Sequence, residues 1–391
     1  MSTSVVSIII PIYNGAQTIT RCITSLKEQT LKTCEFIFVD DGSSDNTVEK
    51  LIELTKDDSR FVILQMGRRT DPFQARKKGI LAASGQYIMF LDADDTFIEK
   101  GCEIAYQTIS TKNVDIVLFG ANPIKNENTS KTALNQYKQY LRFEDKIRGF
   151  YRTHKECCNL YFQSTGFGFS TSLGKKIFSA KLLKQVMNKL DSDLYLGYGQ
   201  DLFQLIATME QVNSIYADNR LKLYNYFIGD GVTQAGQTTI SIEKYKRIIA
   251  SHNSFLAINS FVAKSDFSKE EKLLAVQHSK KCLLASAQKH LWNLSDADIP
   301  QGLSLLREAW GEEYLDGIKL SEQLDRIENA ILNNSEISSD IRGEVHNKII
   351  ALLLDSTKDL ERERNLYKNS SSYKIGLFIT APFRWVGRFF S

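Results

Sequence analysis

The sequence predicts an α/β fold: a doubly wound, mainly parallel sheet with a helical C-terminal extension. Over the first 120 residues, short β-branched runs alternate with amphipathic segments, and polar clusters follow the runs at their carboxyl ends. Beyond about residue 240 the pattern becomes helical. Strand, helix, strand in repetition requires crossover connections, and crossovers give parallel strands.

Each element has its own signal. Ser7 to Ile12 is an apolar run that reads as a buried strand, followed by a helix over 16–30 with Ile19, Ile23 and Leu26 on one stripe. Glu35 to Val39 is the next strand and ends at Asp40-Asp41-Gly42; Ser44 or Asp45 then caps a helix carrying Val48, Leu51, Ile52 and Leu54. Phe61 to Leu64, a helix over 72–83, Tyr87 to Leu91, a helix over 99–110 and Val114 to Phe119 complete the series. Residues 121–165 read as a variable connection with short helices, and 166–232 as a return to globular structure, with Gly166, Gly168, Gly174, Gly197 and Gly199 marking tight turns near a site. Leu273, Leu274, Cys282, Leu283, Leu284, Leu291 and Trp292 suit an amphipathic helix; 320–368 continues the pattern, with Glu361 to Arg364 as a solvated face. The expected domains are 1–235, a helical extension over 236–368 and a basic amphipathic tail over 369–391. No repeat of fixed period is present.

Composition narrows the function. The chain has 391 residues, 42% of them hydrophobic, enough for a sizeable core. Its 49 basic and 46 acidic residues leave a net charge of +3, too near neutral to argue for a nucleic-acid partner. Cys22, Cys34, Cys102, Cys157, Cys158 and Cys282 show no CxxC spacing and no paired histidines, so they read as reduced, buried thiols without a zinc site. Met1 to Val5 lacks the basic region of an export signal, and no run of about 18 apolar residues is present, so a cytoplasmic location is expected.

The ligand crevice of such a sheet lies beyond the carboxyl ends of its strands. Tyr13-Asn14-Gly15, Asp40-Asp41-Gly42 and Asp92 to Asp95 all fall there. Asp92, Asp94 and Asp95 crowd like charges that a cation would compensate; oxygen-only ligands suit Mg2+ or Mn2+, and those ions accompany phosphorylated substrates. Helix capping is the plainer reading of the same cluster. There is no GxxxxGK[ST] loop and no GxGxxG. A nucleotide can instead lie across the strand ends, with Tyr13 offering an aromatic face and Asp40 or Asp41 accepting a base N–H, as uracil's imide would provide. Ser43, Ser44 and Asp45 read as a turn and helix cap.

Val6 to Asn14, Phe38 to Asp45, Ala75 to Gly79 and Gly85 to Asp95 resemble, in order and spacing, the family-2 inverting glycosyltransferases of GT-A fold, in particular those of bacterial polysaccharide biosynthesis. The resemblance is close over about the first 120 residues and looser to about 230, and it implies roles position by position. Pro11, Tyr13 and Asn14 match the loop that packs on the nucleoside, and Asp41, with Asp40 beside it, the carboxylate that reads uracil. Arg76 matches the basic residue of an Ala-Arg-Asn segment, with Lys77 in place of Asn. Asp92-Ala93-Asp94 matches the DXD motif, with Asp94 on the metal, Mn2+ or Mg2+, and Asp92 near the ribose or donor sugar; Asp95 is left as a helix cap. Gly197 to Phe203 resembles the Gly-Glu-Asp segment that carries the general base, which makes Asp201 the base and Gln200, in place of Glu, an acceptor contact. Lys176 matches a lysine that orients acceptor or phosphate, with a surface lysine as the alternative. Tyr224-Asn225-Tyr226 resembles an aromatic strand of the family, but Phe227 replaces a frequent Arg, so the diphosphate contact is not carried over.

The tail from Ser372 to Phe390 is the second informative segment. Pro382 suits a first helical turn, Phe383, Val386 and Phe390 share a stripe, and from Tyr373 there are three basic residues and no acidic one. An interfacial helix on anionic lipid fits, and a terminal helix docked on the protein's own core is the alternative. The tail also resembles a Ser-x-x-Trp-Arg-x-x-x-Pro-Leu-Arg ending of some bacterial polysaccharide glycosyltransferases, with Tyr373-Lys374 in place of Trp-Arg. The resemblance implies transfer of a hexose from a UDP-sugar donor to a hydroxyl of a glycan or lipid-linked acceptor at the inner face of the cell membrane. Two other classes compete. A sugar nucleotidyltransferase would carry a Gly- and Arg-rich loop after the first strand, and Pro11 to Ala16 has no Arg; a non-catalytic scaffold has no need of Asp94 and Asp201.

Overall fold

The computed structural model describes residues 4–125, 134, 147–163, 171–191, 194, 196–228, 240–291, 293–295 and 297–311. The first four strands are β1 (Val6–Ile12), β2 (Cys34–Asp40), β3 (Phe61–Gln65) and β4 (Tyr87–Phe90); α1 (Ile19–Lys27), α2 (Thr47–Thr55) and α3 (Pro72–Ala82) connect them. Then come β5 (Thr96–Phe97), α4 (Gly101–Lys112), β6 (Ile116–Lys125), β7 (Arg148–Tyr151) and α5 (His154–Gln163). A short 3-10 turn at Leu173–Lys175 leads into β8 (Lys176–Ser179), α6 (Ala180–Lys189), α7 (Gln200–Met209) and β9 (Ile215–Ile228). Four helices follow: α8 (Ile242–Ile249), α9 (Ser251–Lys264), α10 (Lys269–Leu291) and α11 (Ile299–Trp310).

The sheet has nine strands in the order β3-β2-β1-β4-β8-β6-β9-β5, with β7 also paired to β9. From the pairings, β1, β2, β3, β4, β6 and β9 run one way and β5, β7 and β8 the other, which is the mainly parallel sheet expected. β1 is buried along almost its whole length because both its faces are covered. Ile8, Ile10, Phe36 and Phe38 join a core cluster with Ile19, Ile23 and Leu26 of α1 and Ala105 and Ile109 of α4. On the opposite face, Ile9 and Val39 meet α3 at Gly79, where an added Cβ would lie 2.6 Å from Ile9 Cγ2, so glycine sets the close helix–sheet approach.

Several details depart from expectation. Residues 16–18 form a turn, and α1 begins only at Ile19, because the Gly15 carbonyl accepts from both Thr18 N and Ile19 N. On α2 the buried residues are Thr47, Leu51 and Thr55, while Ile52 is 55% exposed. Strand β8, absent from the sequence reading, sits antiparallel between β4 and β6. Along α10 the buried stripe is Glu271, Ala275, Ser279, Leu283, Ala287 and Leu291, and Leu273 faces solvent. Among the described residues no helix is long and apolar enough to cross a membrane. Gly166, Gly168, Trp292, the segment 320–368 and the tail 369–391 lie outside the described residues.

Candidate active site

The loops after β1 and β2 are stitched together. Asp41 N donates to Ile12 O, Asn14 N donates to Ser43 Oγ at 2.9 Å, and Asn14 Oδ1 accepts from Ser44 N at 2.8 Å. Asn14 pays for this with a left-handed backbone, φ 48°. The two neighbouring aspartates then differ. Asp40 accepts from Gly42 N and Ser43 N, both at 3.2 Å, and closes the turn. Asp41 accepts from Thr70 N at 2.7 Å and Thr70 Oγ1 at 2.5 Å, both on Oδ1, which fixes the carboxylate's direction. Burial pushes the Asp41 carboxyl up, and the Thr70 bonds oppose that shift. Tyr13 is 38% exposed, with the Arg69 guanidinium 4.2 Å from its ring centroid. Pro11 lies within β1, in register with Val39. Asp45 Oδ1 accepts from Thr47 N and Thr47 Oγ1, which makes a turn before α2; the expectation that Ser44 or Asp45 caps that helix is corrected, since the N-cap position falls on Asn46, whose side chain makes no capping bond.

The carboxylates of Asp92, Asp94 and Asp95 present oxygens within 4.8 Å of one another, but they are not equivalent. Asp95 is buried and accepts from Tyr224 Oη at 2.6 Å and Phe227 N at 2.8 Å. The expectation that it caps the next helix is corrected: β5 intervenes, α4 begins at Gly101, and Asp95 ties the acidic loop to β9. Tyr224 Oη also accepts from Asp92 N at 3.3 Å. The Asp94 carbonyl accepts from Arg21 Nε at 3.0 Å and from Nη2, while the Arg21 guanidinium lies 3.9 Å from the Phe227 ring centroid. Ala93, half-buried, packs against the core cluster.

The Asp92 side chain is exposed, yet the protein around it removes part of its hydration, and the charges of Asp94 and Asp201 add repulsion. Together they push its carboxyl up to about 7, against the pull of Arg76. Burial, then Asp94 and Asp92, likewise raises Asp95. With both Asp95 oxygens engaged, Asp92 and Asp94 are the ligand candidates. Two crowded carboxylates fit a hard divalent cation that takes its other ligands from water and phosphate.

Across from this loop stands the start of α7. Gly197 and Gly199 have φ of 62° and 92°, backbone that glycine adopts without strain. Half-buried Gln200 opens the helix and Asp201 falls in its first turn, where the helix dipole favours a carboxylate. Arg76 Nη2 donates to Asp201 Oδ1 at 2.6 Å and Arg76 Nε to Gln204 Oε1 at 3.2 Å. The guanidinium is almost fully buried, while the Asp201 side chain is 39% exposed toward solvent. Lys176 is not a surface lysine: it is buried in β8 and its Nζ donates to Ser172 O at 2.5 Å.

The structure thus gathers the clusters at 13–15, 40–42, 92–95 and 201 at the carboxyl edge of the sheet. Arg21, Arg69 and Thr70 were not anticipated. Arg21 sits on a helix face outside any motif, and Thr70 acts through a single carboxylate oxygen, so neither has a spacing to detect.

Residues 7–173 match the model of a known family, glycosyl transferase family 2. The chain is 34% identical over 116 residues to glycosyltransferase GlyG of Streptococcus pneumoniae, covering 30% of this chain and 38% of that protein. It is 36% identical over 129 residues to the Escherichia coli UDP-Glc:alpha-D-GlcNAc-diphosphoundecaprenol beta-1,3-glucosyltransferase WfgD, covering 33% of this chain and 50% of that protein. The match to these two curated relatives thus spans half of their length or less. Among solved structures, S. aureus TarS 1–349 in complex with UDP-GlcNAc is similar in fold, with a TM-score of 0.53 at 17% identity over 85% of this chain and 93% of that one. TarS 1–349 alone gives a TM-score of 0.52 at 18% identity over 80% and 83%. The match covers residues 7–173 and the architecture is shared with the TarS structures: that segment of the chain belongs to glycosyl transferase family 2, and the fold is GT-A.

Proposed function

We propose that the chain is a metal-assisted, inverting glycosyltransferase that moves a hexose from a UDP-sugar to a hydroxyl of a glycan or lipid-linked acceptor in bacterial surface polysaccharide synthesis. The observation that carries this reading is the pairing of Asp201 with buried Arg76, opposite the Asp92–Asp94 loop, so that a candidate base faces a candidate diphosphate site. At the donor end, Asp41, aimed by Thr70, accepts the imide N–H of uracil; Pro11, Tyr13 and Asn14 shape the nucleoside pocket and Asp40 holds its turn. Asp94, with Asp92 beside it, would hold Mn2+ or Mg2+, which stabilises charge on a diphosphate leaving group.

The protein's own part is positioning and one proton transfer. Asp201 takes the proton of the acceptor hydroxyl, and that oxygen attacks the anomeric carbon as its bond to the diphosphate breaks, so a single displacement inverts the centre. Arg76 holds the base carboxylate in place and remains at the donor's edge. Gln200 meets the acceptor beside the base, and Lys176 supports the acceptor side by fixing the 172–176 segment. Residues 1–235 carry the chemistry, and the helices after 240 support the base helix. The printed donor of WfgD and the UDP-GlcNAc bound to TarS support a UDP-sugar. A lipid-linked acceptor and the acid-free basic tail support action at an anionic membrane surface, where 369–391 serves as the anchor.

The test is UDP release from a panel of UDP-sugars with Mn2+, comparing the wild type with Asp201→Asn. The variant should lose transfer by at least about 100-fold, at the low end of what a positioned base contributes, while UDP affinity stays within a few-fold. Full activity in the variant removes the mechanism. Absence of UDP release by the wild type with every donor favours a scaffold.

A further inference from the structure

Away from the strand-end edge, α5 and the first turn of α10 bring together three side chains that sequence spacing did not connect. His154 and Cys158 lie one helical turn apart on α5, and Glu271 comes from α10. Their ligating atoms all fall within 4.8 Å of one another. His154 Nε2 is 3.5 Å from Cys158 Sγ and 3.6 Å from Glu271 Oε1. For tetrahedral zinc with Zn–N of ~2.0 Å, Zn–O of ~2.1 Å and Zn–S of ~2.3 Å, the corresponding edges are about 3.5 Å for N to S and about 3.4 Å for N to O.

The surroundings fit the same arrangement. His154 Nδ1 is 2.8 Å from Val212 O, a contact in which the ring donates its Nδ1 proton and leaves the Nε2 lone pair facing the thiol and the carboxylate. A lone pair against a carboxylate is repulsive, and either a proton on Nε2 or a metal ion between the two groups relieves it. Glu271 is held from behind, since its Oε2 accepts from Ser268 N at 2.8 Å. Cys158 and Glu271 are buried, while the His154 side chain is 32% exposed, which leaves a path for the ion and a water as fourth ligand.

We propose that His154 Nε2, Cys158 Sγ and Glu271 Oε1 bind one zinc ion that links α5 to α10. Binding exchanges the Cys158 thiol proton for the metal: a sulfur–zinc bond forms, one proton leaves to solvent, and no redox change occurs. The site is separate from the Asp92–Asp94 loop in ligand chemistry, with a sulfur and a nitrogen in place of oxygens only.

The experiment uses the full chain carrying Asp94→Asn, which removes the acidic loop as a competing site. The protein is stripped with chelator, reloaded with Zn2+ or Co2+ and freed of excess metal. One zinc per chain and a thiolate-to-cobalt charge-transfer band are expected, and the melting temperature should rise on loading. Cys158→Ser should abolish the band, and Glu271→Gln should weaken zinc binding at least tenfold. The apo forms of both variants should melt with the apo parent, so that lost metal is separated from lost fold; if the Ser variant misfolds, Glu271→Gln carries the comparison. No retained zinc in the parent, a cobalt spectrum without the thiolate band, or unchanged binding in a folded variant overturns the site.

Discussion

Arg76 presents its guanidinium as a fork, one arm on Asp201 and another on Gln204 a helical turn later, so it fixes both the distance and the tilt of the proposed base. A lysine has one nitrogen and cannot hold both partners. Arg76→Lys should lower kcat by roughly 10- to 100-fold, as expected when a positioned acid–base group loses its support, with donor KM nearly unchanged; a matched fall in affinity would instead mark Arg76 as a direct donor contact. Tyr224 has a comparable part in the acidic loop, since its hydroxyl serves Asp95 and the Asp92 backbone. Tyr224→Phe leaves a buried carboxyl short of one donor, a loss of about 1–3 kcal/mol, and should raise the Mn2+ concentration needed for half-maximal turnover; calorimetry and a metal titration check the two parts. The placement of Tyr13, Asp41, Asp94 and Asp201 at one edge of the sheet was legible in the sequence because their spacing belongs to an ordered set of motifs. Arg21 and Asp95 were misjudged or missed because their roles depend on β9, which reaches the loop from more than a hundred residues away.

At the scale of elements, α7 and α10 meet at Gly199. Its φ of 92° and the Leu283 methyl 2.6 Å from where a Cβ would stand leave no room for a side chain. Gly199→Ala should cost about 1–3 kcal/mol, seen as a lower urea midpoint, and should disturb Asp201 two residues on. Helix α10 also carries His278, whose ring lies among Tyr161, Phe162 and Cys282. Burial, with a smaller push from Lys281, drives the His278 imidazole down to about 4. The unfolded chain takes that proton near pH ~6.5 and the folded chain only near 4, so stability is full above 6.5 and falls as the pH drops from 6.5 to 4. The loss approaches roughly 3 kcal/mol at about 1.4 kcal/mol per unit; denaturant midpoints in chelator should show a shallower acid slope for His278→Gln. Strands β1 to β4 were legible because each is a continuous apolar run followed by a polar cluster, whereas β9 carries Asp218, Asn219, Arg220 and Lys222 within it. β8 was not legible: it is four residues long and begins with a lysine, which local hydropathy assigns to the surface.

For the molecule as a whole, the described residues fall in one compact unit, Met1–Gly311, because the helices after 240 pack on the base helix. Ser254 Oγ bonds to the carbonyls of Leu196 and Tyr198, Tyr198 Oη meets Ser286 Oγ at 2.9 Å, and Phe203 packs edge-on to Phe261. A chain ended at 235 should therefore expose the apolar face of α7 and aggregate, whereas one ended at 311 should stay monodisperse in size-exclusion chromatography; equal solubility of the two would show that the helices are dispensable to the fold. The position of β8 has its own consequence for synthesis. The ribosome releases β4 and β6 long before the strand that joins them, so both edges stay open until residue 179 has emerged. The middle of the sheet thus closes well after β1 to β4 have emerged, and a ribosome paused near residue 125 would hold a nascent chain already rich in apolar strands and ready to pair with a neighbour.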